Sequence, residues 1–390
     1  MINTVNHKIK ELLLIMMKFG CKTDCQENDT ECVKYVAEYL KKIGFSNDLK
    51  IFGDTANLYS TIGVGKKTLC FCGHCDVVPA GKNWSKNFNG EIIIENGLEK
   101  IYGRGAVDML GGNVAWIIAV EEILKEKPDI VDKIKIATLL TGNEEGDGKN
   151  GTIKMVDYLS KNNISFDACI VGEPTTESDE NELDVKKLDS VCYGRQGSFG
   201  FFITIKGKTG HIAYPNIYNN PIRSGMKLCN ALYKIKWNNT THLEIMSFDA
   251  KNNTTNVVMN EINIFGDVRF FDITKDEVEQ KILDCCKNTL RTEEYYINIE
   301  CNRVGYKTDI NNDFFQLVLY SVKKYNREAK PVISMACTDG EYMTKISKSV
   351  CEFGLKTTKM HQPDEYVLTR DLNDLKNIYK DIIIKFATMI

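Results

Sequence analysis

Lys67 to Pro79, KTLCFCGHCDVVP, constrains this chain more than any other stretch. Lys67 to Cys72 alternates along a Cys- and Phe-rich run closed by Gly73, the pattern of a short buried strand. His74 and Asp76 follow at once, two residues apart, where an open α/β sheet presents its functional loops. A neutral imidazole binds a borderline metal such as zinc. A carboxylate beside it can take the other ring N–H and so fix tautomer and orientation. The same pair also occurs in ordinary polar turns, so the rest of the chain has to decide.

Several classes are excluded first. At 390 residues the chain is long enough for two or three domains of about 150 residues each. A net charge of −3 and an isoelectric point near 6.1 leave no basic footprint, which argues against nucleic acid as a partner. Leu12 to Met17 is too short to span a bilayer, and Ile9, Leu12, Leu13, Met16 and Met17 fall on one helical face, so no membrane partner is expected. Fourteen cysteines without a signal-peptide pattern predict a reducing compartment, the cytoplasm. Cys72-Gly-His-Cys75 matches a redox or zinc CxxC in spacing alone. Cys72 sits on the strand and Cys75 spaces His74 from Asp76, so a structural reading is preferred. Cys169, Cys192, Cys229 and Cys285 stand where a small hydrophobe would serve.

Read in order, the chain opens with a helix ending near Phe19-Gly20, a polar loop over Cys21–Asp29, and a helix from Thr30 to Ile43 stopped by Gly44. Asn87 to Ile101 reads as a hairpin turning at Glu95-Asn-Gly97. GRGAVDMLGG, Gly103 to Gly112, then opens an apolar helix from about Asn113 to Leu124, with Asp108 near its start. Its spacing is not that of a dinucleotide fingerprint. Ile134 to Leu140 is a second buried strand and ends in TGNEEGDG, where Glu144 and Glu145 are costly to hold together unless a cation shares the site. A helix over 151–161 leads to the strand Ala168–Val171, and Glu173 follows as a third strand-end carboxylate. Glu177–Asp184 reads as a solvated acidic excursion. From Ser198 the expected order is strand (Phe199–Ile205), helix (Pro221–Ile235), strands Asn256–Asn263 and Ile264–Phe271, helix (Thr274–Leu290) and strand (Tyr295–Cys301). That βαββαβ order is ferredoxin-like. The first domain's pattern resumes near Gly305, with a strand at Ser349–Phe353, then MHQPDE, and a helix from Asp371. The predicted fold is therefore α/β: a mixed-sheet catalytic domain over 1–195 and 305–390, with an α+β domain inserted over 196–304.

Collected, the strand-end residues are His74, Asp108, Glu145, Glu173 and His361, with Asp76 and Glu144 beside them. Two histidines and three carboxylates suit two zinc ions, each with one His and one terminal carboxylate, and Asp108 bridging. Such paired metals sit about 3.5–4 Å apart. Glu144, next to a ligand but not needed as one, is the candidate general base.

The ordered series GHCDVVPAG, GRGAVDM, NEEG, VGEPT, KTGHIAYP and MHQPDE resembles the aminoacylase and carboxypeptidase clan of dinuclear zinc amidohydrolases, and within it the desuccinylase branch. The resemblance runs from about residue 5 to the C-terminus. It implies two zinc ions, with cobalt able to substitute: one at His74 and Glu173, one at Glu145 and His361, with Asp108 between them. It implies that Asp76 supports His74, that Glu144 shuttles the proton, and that His211 of the inserted domain reaches the partner subunit's site in a homodimer. The inserted domain would be the dimerisation and lid domain.

It further implies that Arg195, Asn256 and Arg269 bind substrate carboxylates, as bidentate Arg suits. The string AYPNIYNNPI, Ala213 to Ile222, is typical of that branch, whose reaction removes succinate from N-succinyl-diaminopimelate for lysine synthesis. Where the branch reads GGTSDGR, this chain has Met335-Ala-Cys-Thr-Asp-Gly-Glu341, placing Glu341 for Arg and Cys337 for Thr, and Gln196 stands for a second Arg. An N-acetyl diamino acid deacetylase or dipeptidase of the same clan is the alternative. A non-catalytic zinc- or ligand-binding homologue is the alternative from another class, and Glu144 argues against it, since a pure binder needs no base.

Overall fold

Leu69, Cys70, Phe71 and Cys72 are all fully buried, and a strand buried on both faces must lie inside a sheet covered on both sides. In the computed structural model, which describes residues 2–20, 30–178, 186–357 and 359–389, β3 (Lys67–His74) lies in that position. The loop read over Cys21–Asp29 and most of the acidic excursion to Asp184 lie outside the described residues. The chain divides into two compact units: Met1–Gly194 with Lys307–Ser334 and Thr338–Ile390, and Arg195–Tyr306 with Met335–Cys337.

The larger unit is built on a nine-stranded mixed sheet. Its strands are β1 (Ser46–Phe52), β2 (Thr55–Ile62), β3, β6 (Ile134–Thr141), β7 (Ala168–Val171), β8 (Ser190–Arg195), β15 (Tyr306–Lys307), β16 (Lys330–Ser334) and β17 (Val350–Glu352). They run in the order β1-β2-β6-β3-β7-β17-β8-β15, with β16 paired to β8. β6, β3, β7 and β17 are parallel, so their carboxyl ends open on one edge. A separate hairpin, β4 (Glu91–Glu95) and β5 (Leu98–Tyr102), joins β18 (Tyr366–Leu368) in a three-stranded sheet.

Period-two alternation sends Leu69 and Phe71 to one face and Cys70 and Cys72 to the other. The first face packs on α3 (Leu110–Glu126), apolar almost all round as a central helix must be, which also meets α1 (Ile2–Gly20) and α10 (Thr369–Phe386). Trp116 of α3 stacks on Phe71 with centroids 5.0 Å apart and donates from Nε1 to Thr138 Oγ1 at 2.9 Å. On the other face Cys70 pairs in register with Cys169, and burial pushes both thiols above the usual range. The structural reading of these cysteines holds. Glycine lets α3 begin close under the strand ends: a Cβ on Gly112 would stand 2.5 Å from the Gly172 carbonyl oxygen. That approach brings the Asp108 loop beside Glu173. Outside these, α2 (Thr30–Lys42) covers β2, and the remaining helices of this unit are α4 (Ile130–Lys133), α5 (Thr152–Lys161), α8 (Asp313–Lys323) and α9 (Gly340–Met343).

The smaller unit carries β9 (Gly197–Lys206), α6 (Pro221–Leu232), β11 (His242–Asp249), β13 (Glu261–Phe270), α7 (Lys275–Thr289) and β14 (Tyr295–Arg303). All pairs are antiparallel in the order β11-β13-β9-β14, the ferredoxin-like arrangement. Phe199, Phe201, Ile203, Ile262, Ile264, Leu228 and Ile282 fill the space between sheet and helices. A capping box of Thr274 and Glu277 starts α7.

Two strand expectations need correction here. The residues read as two strands, 256–263 and 264–271, form one long strand, β13, preceded by β12 (Val257–Val258), which pairs only with β10 (Gly210–His211). The second strand of the βαββαβ order is instead β11, whose alternation is broken by a bulge between Ile245 and Ser247 and which presents exposed Met246 and Phe248 at a sheet edge.

Trp116→Ala should cost about 3–5 kcal/mol of stability, and Trp116→Phe, which keeps the stack on Phe71 but leaves the Thr138 hydroxyl unpaired, about 1–3 kcal/mol. Denaturant midpoints of the two variants check this, and equal losses would mean the stack contributes nothing.

Candidate active site

The carboxyl ends of β3, β6 and β7 deliver His74, the Glu144–Glu145 pair and Glu173 to one place, and the loop before α3 adds Asp108. Donor atoms of His74, Asp108 and Glu145 lie within 4.8 Å of one another, as do those of His74, Glu144 and Glu173. His361, on a segment before β18, closes the group with Nε2 at 3.0 Å from Asp108 Oδ2 and 2.9 Å from Glu145 Oε1. All five expected donors therefore converge.

Asp76 holds the acidic turn. Its two carboxylate oxygens accept the main-chain N–H groups of Glu144, at 3.1 Å, and Glu145, at 2.9 Å. The expected bond from the His74 ring to this carboxylate is instead made to the Asp76 main-chain carbonyl, 2.8 Å from Nδ1, with the carboxylate at 3.6 Å. A carbonyl only accepts, so Nδ1 carries a proton, and a ring that binds a metal would present its Nε2 lone pair. That lone pair faces Asp108 Oδ1 at 3.3 Å and Glu173 Oε1 at 3.6 Å. Asp108 Oδ1 is itself buried and makes no hydrogen bond among the described residues. Lone pairs aimed at one another from buried His, Asp and Glu are what a cation needs, and the donor set fits divalent metals.

The titration behaviour follows from the same crowding. Burial pulls the His74 pKa down, but the Asp108 carboxylate beside its ring and the charges of Glu173 and Asp76 raise it well above the usual imidazole value. His361 is pushed up to about 10, chiefly by its hydrogen bonds to Asp108 and Glu145. Burial opposes ionisation of Asp108, and the two imidazoles overcome it, holding its carboxyl well below the usual range. Glu144 is pushed well above the usual carboxylate range by burial and then by the neighbouring Asp339 charge.

Residues 70–385 match the profile described as Peptidase family M20/M25/M40. The chain belongs to this family. It is 33% identical over 376 residues to the succinyl-diaminopimelate desuccinylase of Rickettsia canadensis (strain McKiel), covering 91% of this chain and 94% of that one. It is likewise 33% identical over 371 residues to the enzyme of that name from Wigglesworthia glossinidia brevipalpis, covering 92% and 94%. A tripeptidase from Staphylococcus aureus superposes with a TM-score of 0.79 at 18% identity, covering 98% of this chain and 99% of that chain, a likeness of fold. As an M20-family member the chain is a hydrolase acting on amides, and the strand-end group described above is a cluster that could hold a metal ion.

In the smaller unit of this M20 chain, His211 accepts the Ala213 main-chain N–H at Nδ1, 3.1 Å away, which leaves the proton on Nε2. The side-chain amide of Asn256 approaches Nε2 at 3.3 Å, so two of the expected site residues meet. Arg269 pairs through Nε with Asp267 at 2.9 Å, and its Nη1 lies 3.8 Å from Cys337 Sγ. Cys337 in turn lies 3.4 Å from the Gln196 carbonyl oxygen, so two of the departures from the branch pattern sit beside Arg269. Arg195 is buried, and in the larger unit Glu341 is buried on α9. Sequence reasoning missed Asp339, whose carboxylate takes the Thr152 hydroxyl at 2.6 Å and bears on Glu144, and the pair Arg104 and Glu365, which sit inside the GRGAVDM and MHQPDE motifs.

Because the surrounding carboxylates favour the protonated forms of both imidazoles and a ligand histidine must give that proton up, zinc uptake should release protons, and affinity should climb as pH rises towards about 10. Calorimetric zinc titration in buffers of different ionisation heat measures this. Affinity independent of pH, with no proton release, would contradict the histidine assignment.

Proposed function

We propose that this chain is a dinuclear zinc amidohydrolase that removes the succinyl group from N-succinyl-diaminopimelate, giving succinate and diaminopimelate for lysine and peptidoglycan precursors, in the cytoplasm. The observation that carries the metal half is Asp108, set between two imidazoles with one oxygen toward each. The substrate half is supported by the two bacterial relatives named for that reaction and by the Ala213–Ile222 string.

His74 and Glu173 would hold one cation and Glu145 and His361 the other, with Asp108 shared between them. Bound divalent cations supply positive charge that acidifies water and polarises an amide carbonyl. Asp76 fixes the Glu144–Glu145 turn through both main-chain N–H groups. Glu144 Oε takes a proton from the attacking water and passes it to the leaving amine nitrogen, and a raised pKa suits a group that must do both. His211, protonated on Nε2, is a donor for the tetrahedral oxyanion. In this reading it serves the partner subunit's site in a homodimer formed through the smaller unit. Support for that interface comes from β11, an edge strand with exposed Met246 and Phe248, and from α6 beside it, with exposed Met226, while Tyr233 just past the helix also lies open. Arg195, Asn256 and Arg269 are the residues for the substrate's carboxylates.

Glu341 favours a second reading. A buried carboxylate where the branch carries Arg suits a neutral or cationic group, as in an N-acetyl diamino acid or a dipeptide.

A panel of succinyl- and acetyl-diaminopimelate and dipeptides, assayed with zinc-loaded protein, separates the readings. The succinyl compound should be turned over fastest, and Glu144→Ala should lower its turnover by about 10²–10⁴ with metal content intact. Faster turnover of the acetyl compound or a dipeptide would reassign the substrate, and a Glu144→Ala protein of near-normal rate would assign the base elsewhere.

A further inference from the structure

Arg104 and Glu365 form an ion pair that is almost fully buried, 2% and 0% exposed at the side chain, with Arg104 Nη1 2.5 Å from Glu365 Oε2. Stripping water from two charges costs more than their pairing usually returns, and apolar replacements are often no less stable. A pair kept in this position therefore points to a task other than stability.

Its contacts identify the task. Glu365 Oε1 accepts the main-chain N–H of Val107 at 2.9 Å and is approached by that of Asp108 at 3.4 Å. The Glu365 carbonyl accepts the Gly103 N–H at 3.0 Å. Arg104 reaches the Gln362 carbonyl at 3.3 Å through Nη1 and the Ala80 carbonyl at 3.4 Å through Nη2, and its guanidinium lies over the Trp84 ring at 5.2 Å. Three segments are tied at one point: the loop after β3, the loop that presents Asp108, and the segment that presents His361. His361 itself adopts a left-handed backbone conformation, φ 62°, which a non-glycine residue holds only where its surroundings impose it.

We propose that Glu365, held in place by Arg104, is a positioning residue that sets the distance between Asp108 and His361 and so selectively builds the metal site shared by Glu145, His361 and Asp108. The inference rests on the dinuclear reading above. Glu365 supplies a fixed acceptor for the two N–H groups at Asp108, and Arg104 locks that acceptor to the chain just after His361. Release of the segment that carries His361 opens the 3.0 Å spacing between His361 and Asp108 but leaves His74 and Glu173, which are carried by the parallel strands, where they are.

The test is zinc binding measured on the full chain by titration against a competing chelator, with Glu365→Gln, Glu365→Asp, His361→Ala and wild type side by side. Glutamine keeps the shape but cannot accept from both the loop and Arg104. Aspartate keeps the buried negative charge beside Arg104 but draws both carboxylate oxygens back by one carbon–carbon bond, away from the loop N–H groups. Wild type should bind two zinc ions. Both Glu365 variants should keep one with wild-type affinity and bind the other about 10–100-fold more weakly, the usual effect of a group supporting a metal ligand. Combining Glu365→Gln with His361→Ala should leave the affinity of the remaining ion as in His361→Ala alone, a non-additivity that separates positioning from a general loss of negative charge. If wild type binds fewer than two ions, the dinuclear reading fails. If wild type binds two and the folded Glu365 variants bind both as tightly, this proposal fails and the dinuclear reading stands. Equal weakening of both ions would also overturn it. Should Glu365→Gln fail to fold, Glu365→Asp decides.

Discussion

The structure depends on keeping like charges together at the ends of parallel strands. Asp76, Asp108, Glu144, Glu145 and Glu173 crowd two histidines in a largely buried volume. Carboxylates so arranged repel one another and lose solvation, and each device around them answers that cost. Asp76 is neutralised in part by two main-chain N–H groups, the strongest acceptor role a carboxylate can take without a cation. The carboxylates push both imidazoles towards their protonated forms. The sheet contributes geometry: β3, β6 and β7 are in parallel register, with His74 opposite Thr141, so their ends come level without strain in any one strand. Behind them, apolar residues on both faces exclude water and keep the electrostatics strong.

Much of this was legible in the chain, and for identifiable reasons. Strand Ala168–Val171 and the helix ending at Lys161 are bounded by glycine and proline or by a polar turn, and the sequence reading places them where the structure does. The donors were legible because each follows a buried strand or opens a helix, so position along the chain encodes position in space. What escaped was tertiary. β11 is an edge strand with a bulge, and its exposed Met246 and Phe248 blur the alternation that marks a half-buried strand. The Nδ1 bond of His74 goes to a main-chain carbonyl, an acceptor present at every residue, so no residue type signals it. Arg104 and Glu365 are 261 residues apart, and only folding reveals that they meet.

The smaller unit holds two of the departures from the branch pattern, Gln196 and Cys337. Its ferredoxin-like core is closed by its own sheet and helices. Cys337 lies against Arg269, and Gln196 offers its main-chain carbonyl to Cys337. Gln196 donates to the Thr240 carbonyl at 3.0 Å.

The central claim is that Asp108 lies between two metal ions. A crystal of zinc-loaded protein, measured on both sides of the zinc absorption edge, tests it directly. The account predicts two anomalous peaks per chain about 3.5–4 Å apart, one beside His74 and Glu173, the other beside Glu145 and His361, with a carboxylate oxygen of Asp108 toward each. A single peak, or a pair lying away from Asp108, would contradict it.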